Sequence, residues 1–160
     1  MRLTRALAFA ALLSAVGATP AFADLTGFIG ANTTPANRET LGVAAGFSLI
    51  IVGFEFEYAV TSDDTAAGAP SLKTGMANVF LQTPMPLAGF QPYLTVGGGL
   101  YNETLADHSD TSFGSNLGGG VKVTLGGPLA LRIDYRVFNL GSGALYSPAH
   151  RVYAGLNLKF

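Results

Sequence analysis

Apolar and polar residues alternate along this chain in segments of about ten residues, a length typical of strands that cross a membrane. From Val52 to Val60, large apolar residues occupy every second position, and Gly53, Glu55 and Glu57 lie between them. A β-strand turns successive side chains to opposite faces, so the pattern predicts strands with one apolar and one polar face. Glycine and proline interrupt the long uncharged runs, and no run after residue 23 predicts a membrane-spanning helix.

Eight such segments can be distinguished. Four are clear, at residues 52–60, 113–125, 129–137 and 151–160, and four are fainter, at residues 25–32, 40–49, 72–83 and 93–100. The residues of the first segment leave its facing undetermined. An even number of strands closes an antiparallel barrel, and a water-soluble barrel would not place its apolar face outward. The predicted fold is all-β, an eight-stranded antiparallel up-and-down transmembrane β-barrel.

The predicted connections alternate in length and polarity. Those near residue 50 and at residues 84–89 and 126–128 are short and uncharged. The other four are longer and more polar, at residues 33–38, 61–71, 102–112 and 139–149. Outer-membrane barrels have short periplasmic turns and longer external loops, so we expect the second set to lie outside the cell.

The first 23 residues have the three parts of a secretory signal peptide. Arg2 and Arg5 precede an apolar stretch, and small residues at Ala21 and Ala23 mark a cleavage site before Asp24. Gly17 and Pro20 disfavour a retained anchor helix. We therefore expect residues 1–23 to be a signal peptide of the general secretory pathway and residues 24–160 to form a single barrel domain.

Composition excludes several classes of function. The chain has nine Lys and Arg against ten Asp and Glu, so no basic excess indicates nucleic-acid binding. It has no cysteine, which rules out disulfides, thiol catalysis and a lipidated N-terminal cysteine. No calcium-loop spacing appears among the loop acids, and the glycine triplets lie in predicted strands rather than before helices. We therefore expect neither a metal nor a cofactor.

Charged residues on the polar faces are expected to meet inside the barrel. An eight-stranded barrel has an interior only wide enough for side chains, so buried charges must pair. The third and seventh strands lie opposite each other, which places Glu55 near the depth of Arg132. The predicted structural network in the lumen consists of Glu55, Glu57, Lys122, Arg132, Asp134 and Arg136.

Five stretches carry a resemblance to the small outer-membrane β-barrel family, which includes the OmpA-like transmembrane domain and the opacity and adhesion-type barrels. They are residues 52–58, 91–99, 117–122, 131–138 and 154–160. The resemblance implies an outer-membrane location of the Gram-negative type, contact with membrane lipid and lipopolysaccharide, and a monomer. It also implies that the terminal Phe160 is part of the signal read by the barrel-assembly machinery.

The function expected from this reading is a structural or surface-interaction role, in envelope integrity or adhesion, with a plugged lumen and no enzymatic activity. No loop partner can be identified from the residues. Two alternatives remain. A lipid-A-modifying enzyme would need histidine, serine and an acid at the outer rim, where His108, Ser109, Asp110, Ser147 and His150 occur. A small-solute pore would need an open lumen.

Overall fold

The computed structural model describes residues 21–160. Residues 1–20 of the predicted signal peptide lie outside the described residues. Eight strands follow one another, and residues 21–160 contain no helix with the length and hydropathy that crossing a membrane requires. The strands are β1 (Ala21–Asn32), β2 (Arg38–Leu49), β3 (Val52–Thr61), β4 (Ser71–Gln82), β5 (Phe90–Leu105), β6 (His108–Gly126), β7 (Leu129–Asn139) and β8 (Ala149–Lys159).

The sheet closes on itself. Every strand pairs antiparallel with its neighbours in the sequence, and β1 pairs with β8 to complete the barrel. The closing register runs from Asp24 opposite Lys159 to Asn32 opposite Arg151. Closure leaves no free edge, so every strand has a backbone partner on both sides. The predicted eight-stranded antiparallel barrel is confirmed.

The wall of the barrel is apolar outside and polar inside. Phe54, Phe56 and Tyr58 of β3 are exposed, whereas Glu55 and Glu57 between them are buried. Exposed apolar side chains recur on every strand and form a continuous belt, while buried polar residues outnumber buried apolar ones in the described part of the chain. This inversion of a soluble core suits a surface solvated by lipid.

The first strand faces the same way as the others. Leu25 and Ile29 are exposed, and Asp24, Thr26 and Phe28 point into the lumen. The sequence alone did not determine which face of β1 points outward, because this strand has only two large apolar residues, Leu25 and Ile29, on its outer face. The structure therefore adds Asp24 to the charges of the lumen.

Connections differ between the two ends of the barrel. Residues 50–51 and 127–128 make tight turns at one end, which we call the short-turn end, and residues 62–70 and 140–148 form loops at the other, the loop end. The predicted loop at residues 102–112 is wrong. Strands β5 and β6 continue through it with Asn102 opposite Thr111, and only Ala106 and Asp107 turn the chain.

Apolar side chains close the lumen at the loop end. Leu140, from the loop after β7, is 7% exposed and packs onto side chains from β4, β5, β7 and β8. The cluster consists of Leu72, Met76, Tyr101, Phe138, Leu140 and Ala149. The loop at residues 140–148 thus folds inward, and a hydrophobic layer lies between the charged lumen and the outside.

The charged lumen as a candidate functional site

Opposite walls of the barrel are joined by ion pairs. Strands β3 and β7 are four positions apart in the eight-stranded ring, so they face each other across the full lumen. Arg132 Nη1 of β7 donates to Glu55 Oε2 of β3, and Arg132 Nη2 lies 3.2 Å from Glu55 Oε1. Two parallel N–H donors on one carboxylate make a bidentate pair, the geometry that guanidinium groups favour.

Arg136 contacts all three central carboxylates. Its Nη2 lies 2.9 Å from Glu55 Oε1, its Nη1 lies 3.0 Å from Glu57 Oε2, and its Nε donates to Asp134 Oδ1 at 3.0 Å. Arg132 also reaches Asp134, with 3.1 Å between Nη2 and Oδ2. All of these side chains are at most 1% exposed. The carboxylates are therefore shared between guanidinium groups rather than held in separate pairs.

Arg151 completes the charge balance. Its Nη2 lies 2.7 Å from Glu57 Oε1, and its guanidinium stacks over the Phe138 ring with 4.2 Å to the centroid. Three guanidinium groups then face three carboxylates, so the cluster is formally neutral. We call it the lumen cluster, and its members are Glu55, Glu57, Arg132, Asp134, Arg136 and Arg151.

Two tyrosines extend the network. Tyr93 donates to Asp134 Oδ2 and accepts from Arg132 Nε at 2.7 Å. The Tyr153 hydroxyl lies 3.3 Å from Arg136 Nη2, and its ring stacks on Phe28 with centroids 4.0 Å apart. The Tyr93 hydroxyl thus gives a partner to Arg132 Nε, a donor that the ion pairs leave over, and such hydrogen bonds lower the cost of burying charged groups.

The sequence-predicted network and the lumen cluster differ at one member. The structure brings together Glu55, Glu57, Arg132, Asp134 and Arg136, but it places Lys122 nearer the short-turn end, where Lys122 Nζ lies 2.7 Å from Asp24 Oδ2. Lys122 pairs there because Asp24 faces inward, which the sequence did not reveal. The sixth member of the cluster is Arg151 instead of the predicted Lys122. Arg151 lies on the polar face of β8, and this pattern in the sequence could have identified it as an inward-facing charge.

Glycines on β6 make room for the cluster. A Cβ atom on Gly120 would lie 2.6 Å from the Tyr93 hydroxyl and 2.2 Å from the Ile133 carbonyl oxygen. One on Gly118 would lie 2.7 Å from Arg136 Cγ. Any side chain at these two positions would occupy space that the tyrosine and arginine fill. The glycines therefore belong to lumen packing and not to a phosphate-binding loop.

The candidate catalytic residues at the loop end are not joined to one another. Asp110 Oδ2 accepts from the Tyr101 hydroxyl at 2.5 Å, and Tyr135 Oη lies 2.7 Å from His150 Nδ1. Ser147 Oγ bonds to the carbonyl of Leu140. Within residues 21–160 these hydrogen bonds build no serine–histidine–acid relay, and no group of three metal-ligating side chains converges.

Above the apolar belt, Glu103 holds the inward-folded loop. Its Oε2 accepts the backbone N–H of Leu145 at 3.0 Å, and the residue is 1% exposed. Burial raises the pKa of the Glu103 carboxyl above its ordinary value, against the opposing effect of the Leu145 hydrogen bond. Burial likewise lowers the pKa of Arg38, whose guanidinium donates to the Thr34 carbonyl.

Solved structures with the same fold include barrels from several outer membranes. The N-terminal β-barrel domain of Pseudomonas aeruginosa OprF is 15% identical, with a TM-score of 0.65 over 87% of this chain and 97% of that one. Neisserial surface protein A is 18% identical, with a TM-score of 0.63 over 88% and 96%. The outer membrane enzyme PagL is 11% identical, with a TM-score of 0.50 over 86% and 98%.

These similarities show that the chain has the same fold as the three structures. One of the three is an enzyme, so the fold alone does not determine whether a protein of this kind has an enzymatic activity. No curated protein matches the chain in sequence. A family model described as the outer membrane protein beta-barrel domain matches residues 7–160, which include all eight strands. Membership implies the outer membrane of Gram-negative bacteria. The chain belongs to the outer membrane protein beta-barrel domain family.

Proposed function

We propose that this protein is a closed outer-membrane barrel with a structural or surface-interaction role, in envelope integrity or adhesion. The observation that carries the proposal is the lumen cluster, which spans the barrel from β3 to β7 and β8 and is almost wholly buried. A channel needs water along its axis, and here side chains occupy that space.

Three layers close the lumen in succession. The apolar cluster around Leu140 lies at the loop end, the lumen cluster lies in the middle, and the Lys122–Asp24 pair lies toward the short-turn end. Removing one partner from a buried ion pair costs about 3–5 kcal/mol, so opening the middle layer is costly unless new partners form. The layers together favour a plug over a pore.

The loop end is the surface available to a partner outside the cell. Asp63 and Asp107 are exposed there, whereas Arg38 is buried. The hairpin of β5 and β6 extends this surface, since its strands have 16 and 19 residues against 10 to 12 elsewhere. An acidic rim favours a partner with basic groups over a polyanion.

Conductance in planar bilayers tests closure. The purified wild-type protein is expected to give no stable open channels. A double variant that truncates only the middle layer, Glu57→Ala with Arg151→Ala, is expected to stay closed as well, because the apolar cluster and the Lys122–Asp24 pair remain, and Glu39→Ala on the exposed rim serves as its control. Stable channels of porin size in the wild type would overturn the proposal.

The same proposal excludes lipid A modification, since hydrogen bonds join none of the rim candidates. Mass spectrometry of lipid A from cells with and without the protein is expected to show the same acyl pattern. A changed pattern that His108→Ala abolishes would instead establish an enzyme.

Assembly through the last strand is a further part of the proposal. Phe160 is 72% exposed, and its backbone N–H donates to the Ala23 carbonyl at 2.9 Å. The aromatic side chain thus points away from the lumen, on the side where the assembly machinery can contact it. Phe160→Ser should lower the amount of heat-modifiable barrel in the membrane, and an unchanged amount would exclude this role.

A further inference from the structure

A small cavity lies at the short-turn end of the lumen, beside the Lys122–Asp24 pair. Its volume is about 230 Å³, below the roughly 300–1,000 Å³ of pockets that hold drug-sized ligands. Inward-facing side chains of the strands form its polar wall, and Ile50 with residues 84–86 of the β4–β5 turn forms its apolar wall. In a closed barrel this cavity is a pocket for a small molecule and not part of a channel.

The side-chain charges that line the cavity do not balance. Lys122 Nζ lies 2.7 Å from Asp24 Oδ2, so these two charges neutralise each other. Lys159 forms no ion pair within residues 21–160, and its ammonium donates to the neutral Gln91 amide at 2.8 Å. The predicted cleavage before Asp24 would add an α-ammonium at this end, and the α-carboxylate of Phe160 would offset it. Lys159 therefore has N–H donors left for an anionic group.

Two buried oxygens beside the cavity lack a hydrogen-bond partner. Asp24 is 4% exposed and Gln82 is 8% exposed, and both residues line the cavity. Asp24 Oδ1 and Gln82 Oε1 accept no hydrogen bond within residues 21–160. A buried acceptor without a partner destabilises the protein, so a ligand that brings N–H donors is favoured at this wall.

The free cation and the unpartnered acceptors call for opposite groups on one ligand. An anion alone would pair with Lys159 but would approach the Asp24 carboxylate, and a cation alone would meet two lysines. Asp24 and Lys159 lie directly opposite each other in the register of β1 and β8, so one small molecule can reach both. An apolar side chain on that molecule can lie against Met85.

We propose that the cavity binds a small zwitterion of the amino acid class. Its carboxylate accepts hydrogen bonds from the Lys159 ammonium, and its ammonium donates to Asp24 Oδ1. In the proposed orientation of the barrel the short-turn end, and with it the cavity, faces the periplasm. Binding itself does not depend on that orientation, because both charged contacts lie inside the lumen.

Two methionines provide a readout at the cavity and a control away from it. Met85 lines the cavity and is 64% exposed, whereas Met76 is 0% exposed in the apolar cluster at the loop end. The third methionine, Met1, belongs to the predicted signal peptide. Carbon-13 labelling of the methionine methyl groups in the processed chain, folded in detergent micelles, therefore gives one NMR signal at each end of the lumen.

Leucine, isocaproate and leucinamide are the probes. Isocaproate is leucine without the ammonium group, and leucinamide has an amide in place of the carboxylate. Leucine is expected to shift the Met85 signal to saturation and to leave the Met76 signal unchanged. Each of the other two probes should bind about tenfold more weakly, as expected for the loss of one hydrogen bond between charged groups.

The variant Lys159→Gln tests the carboxylate contact separately. It should weaken leucine binding about tenfold without weakening leucinamide binding, because leucinamide has no carboxylate for Lys159 to contact. Lys73 is exposed on the outer wall of β4 and does not line the cavity. Lys73→Gln therefore removes the same charge elsewhere and should bind leucine like the wild type.

Three outcomes would overturn the assignment: no saturable shift of Met85 with leucine, equal binding of leucine and either other probe, or equal binding of leucine by Lys159→Gln and wild type. A heat-dependent shift in gel mobility must first show that each variant forms the barrel. If Lys159→Gln does not fold, the three probes on the wild type still decide. Bilayer conductance is measured without amino acids, so failure of this site and failure of the closed-barrel proposal can be told apart.

Discussion

Arg151 of β8 lies against Glu57 of β3, with 2.7 Å between Nη2 and Oε1. Both residues are buried, and without Arg151 the lumen cluster would hold three carboxylates against two guanidinium groups, which leaves one buried negative charge uncompensated. Arg151→Met should therefore lower the free energy of unfolding by about 3–5 kcal/mol. Urea unfolding followed by circular dichroism measures this, and Glu39→Gln on the exposed rim should change stability by about 1 kcal/mol or less. Equal small losses in both variants would mean that the lumen cluster does not hold the barrel together.

Tyr93 and Tyr135 provide a second matched pair. The Tyr93 hydroxyl lies among Asp134 and Arg132 inside the barrel, whereas the Tyr135 hydroxyl contacts His150 on the exposed wall. Tyr93→Phe should destabilise the barrel by about 1.5–3 kcal/mol because it removes hydrogen bonds to charged groups. Tyr135→Phe should be close to neutral in the same urea experiment. The reverse order would contradict the placement of Tyr93.

Glu103 should make the loop at residues 140–148 sensitive to pH. Its pKa is raised in the folded protein, so the folded loop favours the protonated carboxyl. This stabilisation is fully present below the ordinary glutamate pKa and is lost as the pH rises through the raised value. Hydrogen exchange at the Leu145 amide, corrected for intrinsic rates, should therefore show more opening at high pH.

Glu103→Gln provides the control for this effect. The amide keeps an oxygen for the Leu145 N–H but does not ionise, so corrected exchange should no longer depend on pH. An unchanged pH dependence in Glu103→Gln would show that the effect does not come from Glu103.

Orientation can be tested with single cysteines because the chain has none of its own. Asp107 is exposed at the tip of the β5–β6 hairpin, and Pro86 is exposed in the turn between β4 and β5. A membrane-impermeant maleimide added to intact cells should label Asp107→Cys and leave Pro86→Cys unlabelled. After disruption of the outer membrane both should react. Labelling of Pro86→Cys alone in intact cells would reverse the orientation.

Much of the fold can be predicted from the sequence, because residues that face lipid must be apolar and the residues between them, which face the lumen, are polar or small. The alternation of charge and aromatic residues in β3 predicts its facing, and ring order alone places Glu55 opposite Arg132. The sequence did not predict the hairpin at residues 102–112, because beyond the lipid-facing belt a strand does not need alternate apolar and polar residues. Above the belt both faces of a strand tolerate polar residues, so Asn102, Thr104 and Ser109 resemble a loop.

The partners inside the lumen are only partly predictable. The polar faces show which side chains point inward, but the pairing depends on depth and on the reach of each side chain. Arg151 reaches Glu57 across the lumen, while Lys122 meets Asp24 of the strand whose facing the sequence left open. The apolar cluster around Leu140 was missed because a loop that folds inward leaves no periodic pattern.

The contacts from β3 to β7 and β8 also have a mechanical meaning. A barrel of eight strands can flatten under lateral pressure from the bilayer, because hydrogen bonds around the wall resist separation of neighbouring strands more than a change in the shape of the cross-section. The ion pairs that connect β3 with β7 and β8 at two depths resist both a decrease and an increase in the distance between these walls. In this barrel, buried ion pairs therefore link opposite walls without a covalent crosslink.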